Sequence, residues 1–194
     1  MKKISFIVLM VLLGVMLSSA QEKRKEKNTK KPSGFRGEFL YQLDDVAKKI
    51  VDLAEAVPAK KYTWRPMEGV RSVSEVYMHI AGANYLLPSF IGFKPPAGLS
   101  RDLEKTVTEK TKVVKYLQQS FDFIRKAIME TSDSDLDKPA KLFGNETTVR
   151  GIFFQAANHM HEHLGQSIAY ARMNRIVPPW TAVEQGEQQR APKK

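Results

Sequence analysis

The chain has 194 residues, of which 42% are hydrophobic and 27% are charged, and this composition is typical of a globular protein rather than of a disordered or fibrous one. It contains no cysteine, which excludes disulfide bonds, Cys-ligated metal sites and a thiol nucleophile. Its net charge of +10 would fit a nucleic-acid-binding protein, but many of the basic residues lie near the two ends of the chain.

The first twenty residues have the pattern of a secretory signal peptide. Lys2 and Lys3 precede an apolar run over residues 4–17, and residues 18–20 are small, as a cleavage site before Gln21 requires. The run is shorter than the roughly 20 residues that cross a bilayer, so we expect no stable membrane insertion after cleavage. The sequence therefore predicts an exported protein, periplasmic or extracellular, with a net charge that falls from +10 to +8 when Lys2 and Lys3 are removed.

Four segments between the polar ends have apolar residues at the three- and four-residue spacing of amphipathic helices. They cover about residues 35–56, 72–88, 100–130 and 148–174, and a turn-rich stretch separates the last two. No segment alternates with a period of two for long enough to predict a strand. The sequence thus predicts an all-α domain over residues 35–180 with a four-helix bundle, preceded by a basic disordered tether (21–34) and followed by a polar, frayed tail (181–194).

Two signals place the ends of the second helix. Ser72 and Glu75 have the spacing of a capping box, in which the serine oxygen and the glutamate carboxylate satisfy backbone N–H groups of the first turn. Pro88 should end or kink the same helix. Trp64 lies in the preceding loop, which we expect to pack over one end of the core.

Three of the four histidines fall within five residues of the last helix. His159 and His163 are four residues apart, about 40° round the helix, so that both imidazoles can bind one metal ion, whereas His161 points away. His79 lies beside the apolar stripe of the second helix, where a buried imidazole needs a partner. Spacing alone also allows a hydrogen-bonded core histidine at 79 and a solvated run at 159–163. Three imidazoles sharing a divalent ion would leave a coordination position open.

The residues around these histidines carry a family resemblance. The stretch from His159 to Pro179, together with Trp64-Arg65-Pro66 and the segment 71–81 that contains His79, resembles the DinB-like (DinB/YfiT-like) family of proposed metalloenzymes. The resemblance implies a four-helix bundle in up-down-down-up order and a homodimer. It also implies a divalent metal bound by His79, His159 and His163. Three neutral imidazoles suit zinc, nickel, copper or iron, and we expect zinc or nickel first, with iron or manganese as alternatives.

Two further side chains lie near the face of the histidine pair. Gln166 is seven residues from His159, and Tyr170 is seven residues from His163, so each stays within about 20° of that ligand's face. They are the candidates for catalytic or ligand-orienting roles, with polar contacts and core packing as the alternatives. Arg172 and Arg175 could attract an anionic substrate or stabilise the helix dipole.

These observations leave three classes of function. The first is a metal-dependent hydrolase or transferase of unknown substrate. The second is a non-catalytic metal- or ligand-binding module of the cell envelope, in which a structural metal joins two helices. Nucleic-acid binding ranks last, because the chain has no recognised binding motif and export would separate it from the chromosome.

Overall fold

The computed structural model describes residues 32–100 and 102–190. The predicted signal peptide and most of the predicted tether lie outside these residues. The described part contains the helices α1 (Gly34–Ala56), α2 (Val73–Ser89), α3 (Leu103–Thr106), α4 (Lys110–Glu130), α5 (Val149–Met173) and α6 (Pro179–Arg190). Two short strands, β1 (Pro139–Leu142) and β2 (Asn145–Thr148), and two 3-10 turns, Ala59–Lys61 and Asp133–Asp135, complete it.

The four long helices α1, α2, α4 and α5 form the predicted bundle, in which α1 and α2 each pack against both α4 and α5. Arg36 at the start of α1 bonds Asp133 just beyond the end of α4, so α1 and α4 are antiparallel. Phe39 packs edge-on against Phe153 near the start of α5, so α1 and α5 are parallel.

The direction of α2 follows from its contact with the far end of α5. Tyr170, in the last turn of α5, donates a hydrogen bond to the carbonyl of Arg71, just before α2 begins. These two helices are therefore antiparallel, and the order over the four long helices is up-down-down-up. The predicted all-α bundle and its topology are confirmed.

The predicted third helix over residues 100–130 is interrupted, which corrects the sequence prediction. The backbone at Val107 is extended, with φ −102° and ψ 96°, and separates the four-residue α3 from α4. Val107 lies between Thr106 and Thr108, and a run of three β-branched residues has low helix propensity. The break lets α3 turn back against α2, where Leu103 is buried and Glu104 reaches the second helix.

The expectation that no strand is present is also wrong. The strands β1 and β2 pair antiparallel, with Pro139 opposite Thr148 and Leu142 opposite Asn145. Both residues of the connecting turn have positive φ, 49° at Phe143 and 87° at Gly144, as the type I′ turn of a two-residue hairpin loop requires. The strands are too short and polar to show a period of two. The 3-10 turn and the hairpin occupy the stretch between α4 and α5 that the sequence predicts to be rich in turns.

The ends of the other helices agree closely with the sequence. Ser72 and Glu75 form both hydrogen bonds of the capping box, and Pro88 lies in the last turn of α2, which ends one residue later. The carboxyl-terminal stretch differs from its prediction, because α6 continues as helix to Arg190 where a frayed tail was expected. Trp180 anchors its start by packing against the core.

The core lies between the four long helices. Its largest fully buried side chains are Tyr62, Tyr77, Phe153, Leu43, Ile50, Leu53, Met78, Ile80, Leu117, Ile124, Ile128 and Ile152. Trp64 packs edge-on against Tyr170, 5.6 Å between ring centroids, so the loop before α2 does cover one end of the bundle. Within residues 32–100 and 102–190, no helix combines the length and apolar character needed to cross a membrane.

Candidate metal centre

Two antiparallel helices bring three imidazole rings together. His79 lies near the start of α2, and His159 and His163 lie one turn apart in α5. The three rings have centroids 4.4–4.9 Å apart, and one ligand nitrogen from each lies within 4.8 Å of the other two. The predicted triad is therefore assembled, and these rings could hold one metal ion.

The spacing of the nitrogens suits a shared ion. Nε2 of His79 and Nε2 of His159 are 3.1 Å apart. Two imidazole nitrogens bound to one ion at about 2.0–2.1 Å are separated by about 2.9 Å in octahedral geometry and about 3.3 Å in tetrahedral geometry. The observed distance lies within that interval, and it also equals an ordinary hydrogen-bond length.

Glu104 fixes the tautomer of His79. Its Oε2 lies 2.9 Å from Nδ1 of His79, and its Oε1 accepts a hydrogen bond from Nε of Arg71 at 2.6 Å. An ionised carboxylate only accepts hydrogen bonds, so Nδ1 of His79 must carry the proton and Nε2 keeps its lone pair. A carboxylate behind a histidine is the arrangement that orients metal-ligating imidazoles and raises their basicity.

A chain of hydrogen bonds fixes the tautomer of His163 in the same sense. Tyr170 donates its hydroxyl proton to the carbonyl of Arg71 at 3.2 Å, so its oxygen accepts from Nε2 of Gln166 at 3.1 Å. This orients the amide so that Oε1 of Gln166 accepts from Nδ1 of His163 at 2.8 Å. Nε2 of His163 is consequently left with a lone pair.

His159 is the ring without an outer partner. Its Nδ1 is buried and has no hydrogen-bond partner within the part of the chain that the structure describes. Burial lowers the pKa of His159 to about 4, and the neighbouring His163, His79 and Arg71 add to the effect. Burial and Arg71 also lower the pKa of His79, against the opposing influence of Glu104. Both rings are neutral at pH 7, as metal ligands must be.

A count of protons shows that the residues fit a metal ion. With Nδ1 protonated, His79 and His163 offer only lone pairs to the shared centre. His159 can donate one N–H to the centre. That proton satisfies Nε2 of either His79 or His163 and leaves the Nε2 of the other ring without a hydrogen-bond partner. A divalent cation satisfies all three lone pairs at once, and three neutral imidazoles are a ligand set that zinc, nickel, copper and iron accept.

The remaining candidates lie outside the centre or behind it. His161 is exposed and its Nδ1 lies 2.8 Å from the carbonyl of Ala157, so it points away as the helix geometry predicts. Gln166 bonds the outer nitrogen of His163, and Tyr170 bonds Gln166, so neither side chain is bonded on the face that the three rings share. The interrupted third helix supplies Glu104, which sequence reasoning missed, because a continuous helix gives no reason to place it beside a residue 25 positions earlier.

Comparison with known proteins places the chain in a family. Residues 42–167 match the family model of the DinB superfamily. The chain belongs to the DinB superfamily. The resemblance found in the sequence is thereby confirmed, and the match covers α1 to most of α5, including the three histidines.

Individual DinB-like relatives are distant in sequence and close in fold. The chain is 25% identical over 122 residues to the uncharacterised protein YjoA of Bacillus subtilis (strain 168), a match that covers 62% of this chain and 79% of YjoA. A DinB-like protein of Bacillus cereus ATCC 10987 superposes with a TM-score of 0.66 at 18% identity, over 73% of this chain and 93% of the other. The crystal structure of YjoA superposes with a TM-score of 0.58 at 20% identity, over 72% of this chain and 93% of YjoA.

A third solved structure supports the same fold. A conserved protein of Enterococcus faecalis superposes with a TM-score of 0.59 at 16% identity, over 68% of this chain and 92% of that one. At these identities the structural likeness establishes the helical bundle. The DinB superfamily match and the triad geometry together make metal binding the property to test.

Proposed function

We propose that this DinB-superfamily protein binds one divalent metal ion through the imidazoles of His79, His159 and His163. The observation that carries the proposal is the convergence of three ligand nitrogens within 4.8 Å of one another. Glu104 and Gln166 support it from behind, because each accepts the Nδ1 proton of one ring and turns Nε2 towards the centre. Zinc and nickel are the first candidates, and iron and manganese are the alternatives.

The ligand set is that of a reactive site. The group of candidate ligands contains three residues, and zinc sites with three protein ligands keep a position for substrate or water. The His79 side chain is 28% exposed, so this ring is open to solvent on one side. A bound divalent ion would supply Lewis acidity, which polarises a substrate oxygen or activates a water molecule.

We therefore infer a metal-dependent hydrolase or transferase. In this proposal Gln166 and Tyr170 are positioning residues, since Gln166 bonds the outer nitrogen of His163 and Tyr170 bonds Gln166. Glu104 has the same role towards His79. These three side chains hold two rings in place and keep their protons on Nδ1, which leaves the common face for the ion and the substrate.

Metal analysis tests the proposal. The purified protein is loaded with zinc or nickel, dialysed and measured for metal per chain, beside His79→Ala, His159→Ala and His163→Ala, with His161→Ala as the matched control. We expect one ion per chain in the parent and in the control, and a loss of metal in each triad variant. Unchanged metal content in all three triad variants contradicts the proposal.

The alternative is a structural metal that joins α2 to α5 without catalysis. The position of the ligands favours it as the second candidate, because His79 lies on one helix and His159 and His163 on the other. A chelator then lowers the unfolding temperature while a hydrolase screen of the metal-loaded protein stays negative. Turnover that disappears with the chelator and returns with zinc excludes this alternative.

Export and homodimer formation belong to the proposal as well. Export is supported by the basic start and apolar run over residues 2–20, and the dimer by the family resemblance. Fractionation of cells that produce the full chain tests the first, with cleavage before Gln21 as the expected result. Sedimentation of the cleaved protein tests the second.

A further inference from the structure

A solvent-open cleft of about 510 Å³ lies behind the triad, against residues that bond the outer Nδ1 atoms of two of its rings, and the three histidines are not among its lining residues. It is large enough for a small organic molecule. Two of its walls are Glu104 and Gln166, the residues that bond Nδ1 of His79 and of His163. The remaining lining residues are Arg65, Gly69, Val70, Arg71 and Lys105.

Cations outnumber carboxylates around this cleft. Arg65, Arg71 and Lys105 line it, whereas the carboxylates that pair with them are Glu75 and Glu104. One positive charge is therefore left over, and these cations are 38–66% exposed at their side chains. An anion that enters meets a net attraction.

Arg71 is the cation with unused donors. Its Nε bonds Glu104, and within residues 32–100 and 102–190 its two terminal nitrogens have no hydrogen-bond partner. They are also not buried, because the described chain has a single buried side-chain polar atom without a partner, Nδ1 of His159. The free end of a guanidinium matches the two oxygens of a carboxylate. Arg65 differs, since both of its terminal nitrogens already contact acceptors, the carbonyl of Val70 and Glu75.

We propose that this cleft binds the carboxylate group of a small organic anion through Arg71, and that Glu104 couples this binding to the metal site. The coupling rests on the proposed function, whereas binding of the anion does not. Lys105 adds attraction, and Gly69 and Val70 also line the cleft.

Glu104 couples the two sites. One of its oxygens bonds Arg71 and the other bonds His79. Neutralising Arg71 with an anion removes a positive charge that repels a cation in the triad, and it frees Glu104 to interact more strongly with His79. Both effects strengthen metal binding, and by reciprocity a loaded metal site strengthens anion binding.

A titration with succinate, followed through the backbone amide signals of Gly69 and Val70 in NMR spectra, tests the proposal. The metal-free protein should show saturable shifts that succinamide, the neutral analogue, does not produce. Arg71→Gln should weaken succinate binding by about tenfold or more, because a charged hydrogen-bond pair is lost. Arg71→Lys keeps the charge and loses the paired N–H donors of the guanidinium, so its affinity for succinate should lie between those of the parent and Arg71→Gln. This variant also tests the proposal if Arg71→Gln misfolds.

Arg172→Gln is the matched control, because Arg172 is an exposed cation of α5 that does not line the cleft. It should bind succinate as the parent does. Three results would each overturn the anion cleft. The first is that succinamide produces the same shifts as succinate, and the second is that both Arg71 variants bind succinate with the parent's affinity. The third is that the Arg172 variant loses as much succinate affinity as Arg71→Gln does.

The same titration on zinc-loaded, dialysed protein separates this proposal from the metal site. We expect about fivefold tighter succinate binding than in the metal-free protein. Unchanged affinity in protein that holds zinc overturns the coupling through Glu104. A protein that binds succinate but takes up no zinc contradicts the proposed function and leaves the carboxylate site standing.

Discussion

The carboxylate of Glu104 lies 2.9 Å from Nδ1 of His79, although 25 residues separate them along the chain. Its other oxygen bonds Arg71, so the carboxylate is ionised and fixed between a cation and an imidazole. Burial opposes ionisation, but the bonds from Arg71 and His79 hold the pKa of Glu104 below its ordinary value. This pair therefore sets the protonation of one proposed metal ligand.

Removal of this carboxylate should weaken metal binding without abolishing it. We predict that Glu104→Ala raises the zinc dissociation constant by about 10–100-fold, as the loss of an orienting partner typically does, and that Glu104→Gln has a smaller effect. Competition with a chromophoric chelator measures the constant. Glu109→Ala is the control, since Glu109 is an exposed carboxylate of the same connection paired with Lys112. Equal affinities in the Glu104 and Glu109 variants contradict the role assigned to Glu104.

The hydrogen-bond chain behind His163 predicts a graded effect. Gln166→Ala removes the direct acceptor of the Nδ1 proton, whereas Tyr170→Phe removes only the group that orients the Gln166 amide. The zinc affinity should therefore fall in both variants and fall more in the first. The same chelator competition ranks the zinc affinities of the two variants. A larger loss in Tyr170→Phe than in Gln166→Ala would show that this series of hydrogen bonds does not act through Gln166.

The limits of α1, α2 and α5 were predictable from the sequence. Their apolar stripes, the capping box at Ser72 and the proline at 88 predicted their limits to within two residues, because these signals are local. The break at Val107 and the β1–β2 hairpin were missed. The β-branched run at residues 106–108 favours the break, but the return of α3 onto the core depends on the burial of Leu103, which a periodic pattern does not encode. The strands of the hairpin have four residues each and are too short to show a period of two.

Glu75 predicts a pH dependence of stability. The side chain is buried, which raises its pKa, but bonds from Lys105 and Ser72 together with Arg65 lower the pKa from 4.5 to about 2. Since the folded pKa is below the unfolded one, the carboxylate stabilises the fold fully above about pH 4.5, and this contribution is lost as the pH falls towards 2.

The variant Glu75→Gln isolates this charge, because glutamine can still complete the capping box. We expect it to be less stable than the parent at pH 7, and the difference should shrink below pH 4.5. Urea unfolding at several pH values measures the free energy of unfolding of both proteins. Glu146→Gln, at an exposed ion pair of the hairpin, should show almost no difference at any pH. A difference that persists unchanged at pH 3 contradicts the assignment.

Metal removal should also change stability. An ion that binds only the folded chain adds about 2.7 kcal/mol at a free concentration of 100 times its dissociation constant. The unfolding temperature of the parent should rise with zinc and fall back with a chelator. His163→Ala should show neither response, while His161→Ala should behave as the parent does. A zinc-induced shift that survives in the His163 variant would place the binding elsewhere.

The grouping of the three histidines was predictable from the sequence, whereas the residues that orient the rings were not. The proximity of His159 and His163 follows from an i, i+4 spacing on one helix, and the family resemblance joined His79 to them. The contact of Glu104 with His79 depends on the return of α3 onto α2, and one continuous helix over residues 100–130 does not predict it.

The proposed metal site can be tested by a crystal structure of the metal-loaded protein, with diffraction data collected at the absorption edge of the ion. We expect one anomalous peak per chain, at about 2.0–2.2 Å from Nε2 of His79, His159 and His163. A peak bound to Nδ1 atoms, a peak away from the triad, or no peak in protein soaked with zinc would contradict it.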